Sequence, residues 1–166
     1  MLSDVAELFG ETAIAPAADR RLTRRLVDVW ARAARGHFPS WAAMRETDMG
    51  EDWNWVFAID LEKSVGFPYF IYLGDCLAKL SDVHLTGEPD WTMTVLDKAT
   101  ADIYAAVAAE APHFRDDAVT LCDGRRLMFR SVTAPLADDG ENITHVIGAA
   151  SGRLSFDTEP LLRLVD

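Results

Sequence analysis

The stretch "YFIYLGDCLAKLSDVHLTG", residues 69–87, decides how this chain is read. An aromatic, strand-like run ends at Gly74-Asp75, Cys76 follows at once, and a leucine-spaced segment closes on Leu85-Thr86-Gly87. Two readings compete. In one, Cys76 is a reactive thiol at a helix start, where unpaired backbone N–H groups favour the thiolate. In the other, the stretch is a structural corner from strand into helix, and the thiol is inert. Asp75 disfavours a second negative charge beside it, and no sequence-adjacent base is present. The corner is the better reading.

The flanking runs agree with a corner. Upstream, "WNWVFAIDL" (53–61) alternates, with Trp53, Trp55, Phe57 and Ile59 on one side of a strand and Asn54 and Asp60 on the other. "EKSVG" is turn material, and "FPYFIYLG" (67–74) reads as a second, aromatic-rich strand. "DCLAKLSD" follows as a short helix with Leu77 and Leu80 at i, i+3, and "VHLTGEPDW" as a loop. Thr94 and Asp97 have the spacing of a capping box, which opens a long helix over residues 94–110. Leu96, Ala99, Ile103 and Val107 form its apolar face, and Pro112 lies just past its end.

The last third is strand-like: "DDAVTLC", Asp123-Gly124, "RRLMFRSVTAPL", Asp139-Gly140, then "NITHVIGAASGRL". An Asp-Gly pair between β-rich runs signals a hairpin with a type I′ turn, whose two central residues need positive φ. Two such pairs imply a three-stranded antiparallel meander. Near the N-terminus, Leu22, Leu26, Val29, Trp30 and Ala33 recur at helical spacing, with Asp19 as the cap and Gly36 as the stop. "HFPSWAAMRETDMGED" has no clean period and reads as a loop with a helical turn. The expected class is therefore α+β, five antiparallel strands with one sheet face packed on the central helices. The expected divisions are a loosely held lead over 1–18, an amphipathic helix over 19–36, the domain over 37–155 and a C-terminal tail over 156–166.

Bulk properties bound the function. The 166 residues suffice for one domain, and 49% hydrophobic content is a globular value. No apolar run approaches the roughly 20 residues of a membrane span. The N-terminal run has acids where a signal peptide has a basic start, so the expectation is a cytoplasmic protein without a membrane partner. The net charge of -11 would repel a phosphate backbone, which argues against nucleic acid. The charge is uneven: six arginines against Asp19 and Asp28 give residues 19–36 a net +4, and the remainder carries -15. Such a helix could meet an acidic body in a neighbouring subunit or simply be a solvated face.

The element order and particular residues together resemble the PAS domain, and more narrowly the bacterial single-domain proteins of the PAS-5 type common in alphaproteobacteria. The carriers are "LVDVWARAARGHFPSW", "YLGDCLAKLSDVHLTG" and "DGRRLMFRSVTAPLADDGENITHVIGAASGR", in that order over most of the chain. The resemblance implies a five-stranded antiparallel sheet of order 2-1-5-4-3, helices over one face, and an N-terminal amphipathic helix. It also implies a small-ligand site between helices and sheet, or pairing with other proteins. In PAS proteins a helix before the first strand often packs on its mate, which makes Leu22, Leu26, Val29 and Trp30 the expected homodimer interface.

For the site itself, strand parity and helix spacing put Trp55, Phe57, Phe70, Tyr72, Leu96, Ile103, Val107, Leu121, Phe129 and Ile147 around the helix–sheet interior. They would line a pocket for a small hydrophobic or amphipathic ligand, or make an ordinary core. Trp91 and Tyr104 would stand at its mouth or simply pack. No cofactor is named by the sequence. The Asn-Cys…Arg motif of flavin-binding PAS relatives is missing, and residues 94–110 hold no histidine for haem, which leaves only His113 or His84. His37 and His145 complete the histidines; no pair has zinc-like spacing, and no HExxH or CxxC occurs. Cys122 reads as structural. Asp116-Asp117 and Asp138-Asp139 sit in turn-like settings, and Arg125, Arg126 and Arg130 could meet an anionic ligand or pair with the acidic loops, the better reading. The chain shows no kinase, cyclase or DNA-binding segment, so the reading is a stand-alone, non-enzymatic sensory or regulatory module working through a protein partner. The rivals are a small α+β enzyme or carrier using Cys76, and a ligand-free interaction adaptor.

Overall fold

Helix α1, Pro16–Ala34, leads into a short helix α2, Trp41–Arg45, and a 3-10 segment, Gly50–Trp55. Strands β1, Val56–Asp60, and β2, Phe70–Leu73, then precede three short helices, α3 (Asp75–Lys79), α4 (Val95–Ala99) and α5 (Ile103–Ala109). Strands β3 (His113–Thr120), β4 (Arg126–Leu136) and β5 (His145–Ser155) complete the order. This computed structural model describes residues 16–80, 94–121 and 124–155. The five strands form one antiparallel sheet of order β2-β1-β5-β4-β3, the order that the PAS resemblance implies.

Both faces of the sheet are covered. On the inner face, Phe57 and Ile59 of β1, Leu127 and Phe129 of β4 and Val146 and Ala150 of β5 pack against Leu77, Leu80, Leu96, Ala99 and Ile103 of the short helices and their ends. On the outer face, α1 lays Leu22 and Leu26 on Val132, Ala134, Leu136, Ile147 and Ala149. The Trp30 indole Nε1 donates to the Pro135 carbonyl at 2.8 Å, so α1 is part of the domain's own core. Arg25 ties the same helix to the 3-10 segment through a two-pronged pair with Asp52, at 2.6 and 2.8 Å.

Local chemistry explains the boundaries. Helix α1 starts at Pro16, a residue suited to the first helical position, so Asp19 lies inside the helix rather than capping it. Arg35 and Gly36 both take positive φ and stop it. Thr94 and Asp97 form the capping box in full, at 2.9 and 3.2 Å. The helix that follows is nevertheless broken, with α4 ending at Ala99 and α5 beginning at Ile103. Thr100 folds its hydroxyl back onto the Leu96 carbonyl at 3.0 Å, and the Asp102 carboxylate turns to Arg115 at 3.0 Å. The apolar face survives the break: Leu96, Ala99, Ile103 and Val107 all meet the inner cluster.

Three further expectations change. The first strand begins at Val56, because residues 50–55 wind into the 3-10 segment. The second begins at Phe70, which leaves Phe67, Pro68 and Tyr69 in a loop. At the last hairpin Gly140 has φ 84° but Asp139 does not have positive φ, so the turn is not type I′. Asp139 instead accepts from the backbone N–H groups of Glu141 and Asn142, within a loop from β4 to β5. At the other hairpin Gly124 has positive φ, while Cys122 and Asp123 lie outside the described residues.

Candidate functional site

The residues expected to line a pocket divide between the two faces. Phe57, Phe70, Leu96, Ile103, Val107, Leu121 and Phe129 converge on the inner face, and Phe57 meets Phe70 edge-on with ring centroids 6.3 Å apart. Trp55 touches both clusters. Tyr72 and Ile147 are on the outer face and line nothing with the others. The reason for Tyr72 is a β-bulge: Ala58 pairs with Tyr72 but Ile59 pairs with Phe70, so one extra residue reverses the side-chain parity of β2. Tyr72 then packs edge-on against Trp53 and at a tilt against Trp41, and donates its hydroxyl to the Trp53 carbonyl at 2.8 Å. For Ile147 the register decides. It faces the same way as its partners Ala58 and Ala134, away from Phe57.

A groove of about 540 Å³ opens beside the inner cluster. One wall is the β1–β2 loop, with Ser64, Gly66, Phe67 and Pro68; the other is the α4–α5 corner, with Asp97, Thr100, Ala101, Ile103 and Tyr104. The loop is held by its own polar groups. Asp60 accepts from the backbone N–H of Glu62 at 2.9 Å, and the Ser64 hydroxyl donates to the Asp60 carbonyl at 2.6 Å while accepting from the Tyr69 N–H at 3.0 Å. Ile103 is shared: it lines the groove and is buried in the core cluster. Of the expected mouth residues, Tyr104 stands at the groove and Trp91 lies outside the described residues. Phe67 and Thr100 escaped the sequence reading and Asp97 was read only as a helix cap, although four apolar side chains in the five residues "VGFPY" are an unusual signal for a loop.

Cys76 stands in the first turn of α3, a helix of five residues capped by Gly74 without a side-chain bond. Burial pushes its thiol up; Lys79 pulls it down and Asp75 adds to the rise, and the result lies above the ordinary thiol value. This opposes the enzyme or carrier reading of Cys76. The role of Gly74 is now physical: a side chain there would collide with the backbone of Trp53 and Asn54, so the glycine lets the 3-10 segment rest on the end of β2.

The remaining polar candidates are dispersed. His113 lies 3.6 Å from Asp102, and Arg115 bridges Asp102 and Asp117 at 3.0 and 2.9 Å. His145 lies between Asp60 and Asp138, at 3.6 and 3.8 Å, with the Thr144 hydroxyl 2.8 Å from its Nδ1. His37 packs against Gly140, and His84 lies outside the described residues. Arg130 pairs with Asp116 at 3.3 Å. Among the described residues no three His, Cys, Asp or Glu side chains group as metal ligands, and no helix is long and apolar enough to cross a membrane.

The residues expected at a homodimer face pack on the chain's own sheet. Leu26 is 1% exposed, Leu22 is buried beside it, and Val29 and Trp30 are half-buried on the same cluster. These side chains are used on the chain's own sheet, which leaves α1 to present Arg24, Arg25, Asp28 and Arg32 outward.

No protein-family model matches the chain, and no curated protein matches it either. Solved structures do. The PAS domain of BvgS from Bordetella pertussis is 20% identical, with 68% of this chain and 83% of that chain covered and a TM-score of 0.35. The dark structure of the blue-light photoreceptor Aureochrome1 LOV is 17% identical over 76% and 92% of the two chains, with a TM-score of 0.42. The ligand-binding domain of the amino-acid chemoreceptor PctC from Pseudomonas aeruginosa is 14% identical over 89% and 55%, with a TM-score of 0.41. At these scores the superpositions carry no weight. The strand order and the packing of the short helices on one face do, and both are those that the PAS resemblance implies.

Proposed function

We propose that this domain is a sensory or regulatory module of the PAS type, which binds a small hydrophobic or amphipathic ligand at the helix–sheet interior and passes the change to a protein partner. One observation carries the reading. Ile103 belongs at once to an open groove and to the packed core over the sheet, so occupancy of the groove presses directly on side chains that hold α4 and α5 to β4 and β5. Close-packed interiors transmit such displacement rather than absorb it. The groove is apolar over Phe67, Pro68, Ala101 and Ile103, with Ser64, Asp97 and Thr100 as polar groups to orient a ligand, the usual composition of a small-molecule site. The raised thiol of Cys76 favours this over thiol chemistry.

Native mass spectrometry of freshly purified protein tests the ligand directly. A retained compound adds a discrete mass, and Ile103→Trp, which fills the floor of the groove, removes it. A bare chain mass in both preparations overturns the ligand half of the reading.

A further inference from the structure

We propose that the outer sheet face beside the start of α1 is covered by the chain's own N-terminal segment, residues 1–15, which lies outside the described residues. Parity puts Phe114 and Asp116 of β3, Arg126, Met128 and Arg130 of β4 and Arg153 of β5 on the side opposite Phe129, the side on which α1 lies. Phe114 is 49% exposed and Met128 43%, and the Arg153 guanidinium reaches the Met128 sulfur at 3.8 Å. Apolar surface gathered in one place marks an interaction site more often than scattered residues do.

The course of α1 leads onto this patch. Trp30 bonds to Pro135, and Thr23 and Arg24, two turns earlier, wall a cleft of about 450 Å³ with Phe114, Asp116 and Arg130. Followed backwards, the helix therefore runs from Pro135 along β4 toward Arg130 and Met128. From Thr23 to Pro16 it extends about 10 Å further, at 1.5 Å per residue. A chain arriving at Pro16 thus comes in beside the exposed Phe114 and Met128. Fifteen residues reach up to about 50 Å when extended, and β4 from Arg126 to Arg130 spans about 13 Å, so length is no obstacle.

Charge selects this occupant, and the charge is placed at the patch itself. Arg24, Arg126, Arg130 and Arg153 border the exposed apolar groups, and among the described residues of β3, β4 and β5 Asp116 is the one carboxylate on that side. Asp116 pairs with Arg130 at 3.3 Å, which leaves three guanidiniums for an acidic occupant. Residues 1–15 carry Asp4, Glu7 and Glu11 and no Lys or Arg, with Leu2, Val5, Leu8 and Phe9 among them. Acidic and apolar side chains are thus interspersed in the segment as arginines and apolar side chains are on the patch. Residues 156–166, which follow β5, mix Arg163 with their acids and match the patch less well. Tethering at Pro16 also gives the N-terminal segment an effective concentration of about millimolar, above that of a separate acidic protein.

The inference is independent of the ligand groove, which opens beside the inner cluster. The test places the photoreactive residue p-benzoylphenylalanine at Met128 in the full chain, irradiates an equal mixture of light and isotopically heavy protein, and maps the products by mass spectrometry. The expected product joins position 128 to a peptide within residues 1–15 of the same chain. Asp4→Lys, Glu7→Lys and Glu11→Lys together should cut its yield about tenfold, and adding Arg130→Glu and Arg153→Glu should restore it. Raising salt should lower the yield in the parent chain. Circular dichroism checks that each variant keeps the parent's fold, and the parent's product with its salt dependence remains a test where a variant misfolds. Crosslinks to residues 156–166, light–heavy products that join two copies, no product at all, or a yield indifferent to salt and to charge reversal would each overturn the proposal. None of these outcomes bears on whether a ligand is retained.

Discussion

The Phe57 ring occupies the space that a side chain on Gly148 would need. The two residues are direct partners on β1 and β5, and a Cβ at position 148 would overlap the ring and lie 2.7 Å from the Val132 carbonyl oxygen. Gly148 therefore fixes how deeply Phe57 enters the inner core. Gly148→Ala should destabilise the domain by about 1–3 kcal/mol, the usual cost of overpacking, read from chemical denaturation. Phe57→Leu, which withdraws the ring, should recover part of that loss in the double variant. A neutral Gly148→Ala would show that the ring moves freely and that the inner core is not close-packed there.

Helix α1 is predicted to be integral to the domain. Leu26→Ala should cost about 2–5 kcal/mol, as expected for a buried leucine truncated against a sheet. Trp30→Phe keeps most of the apolar body but removes the bond to Pro135, and should cost about 1 kcal/mol. If Leu26→Ala left monomer stability unchanged but dissociated a dimer in sedimentation, the helix would pair with a mate instead of its own sheet.

Cys76 should behave as a hindered, weakly acidic thiol. Its alkylation, followed by mass spectrometry of the Cys76 peptide, should be slower at neutral pH than that of an exposed model thiol. Asp75 raises the thiol pKa and Lys79 lowers it, so Asp75→Asn should speed labelling and Lys79→Gln should slow it. Labelling faster than the model thiol would revive the enzyme reading.

The β4–β5 loop should carry an acid-sensitive contribution to stability. The backbone N–H of Asn142, then that of Glu141 and the Asn142 side chain, hold the Asp139 carboxyl below the usual carboxylate value. A carboxyl lowered in the folded state stabilises fully above its unfolded pKa of about 3.9 and loses that contribution as pH falls through the folded value. Asp139→Asn should therefore be less stable than the parent at neutral pH, with the gap closing below about pH 4. A gap that stays constant across that range would assign the effect to loop geometry rather than charge.

Much of this was legible in the linear chain, for local reasons. The Thr94 and Asp97 capping box involves neighbours three residues apart, and it forms as read. Gly124 and Gly140 take the positive φ that their places in turns require. The convergence of Phe57, Leu96, Ile103 and Phe129 follows from strand parity and from a helical apolar face that survives the break between α4 and α5. Tyr72 escaped because one bulge residue inverts parity without any mark in composition. The groove was only half read: Tyr104 was named at a mouth, but the facing wall, Phe67, comes from a loop that meets that helix only in the folded chain.

By itself the sequence determined the order of elements, the antiparallel pairing of the last three strands and the apolar faces of the helices, since each depends on hydrogen bonding and spacing within a few residues. Tertiary structure alone decided which of those faces met. It laid α1 on the outer side of the sheet and buried β4 on both faces from Ser131 to Leu136. It also gave Gly74, which ends β2 as read, a further role as the gap beneath the 3-10 segment. The physical reason is that burial is settled by what packs opposite a residue, and that partner can be more than a hundred residues away, as Trp30 and Pro135 are.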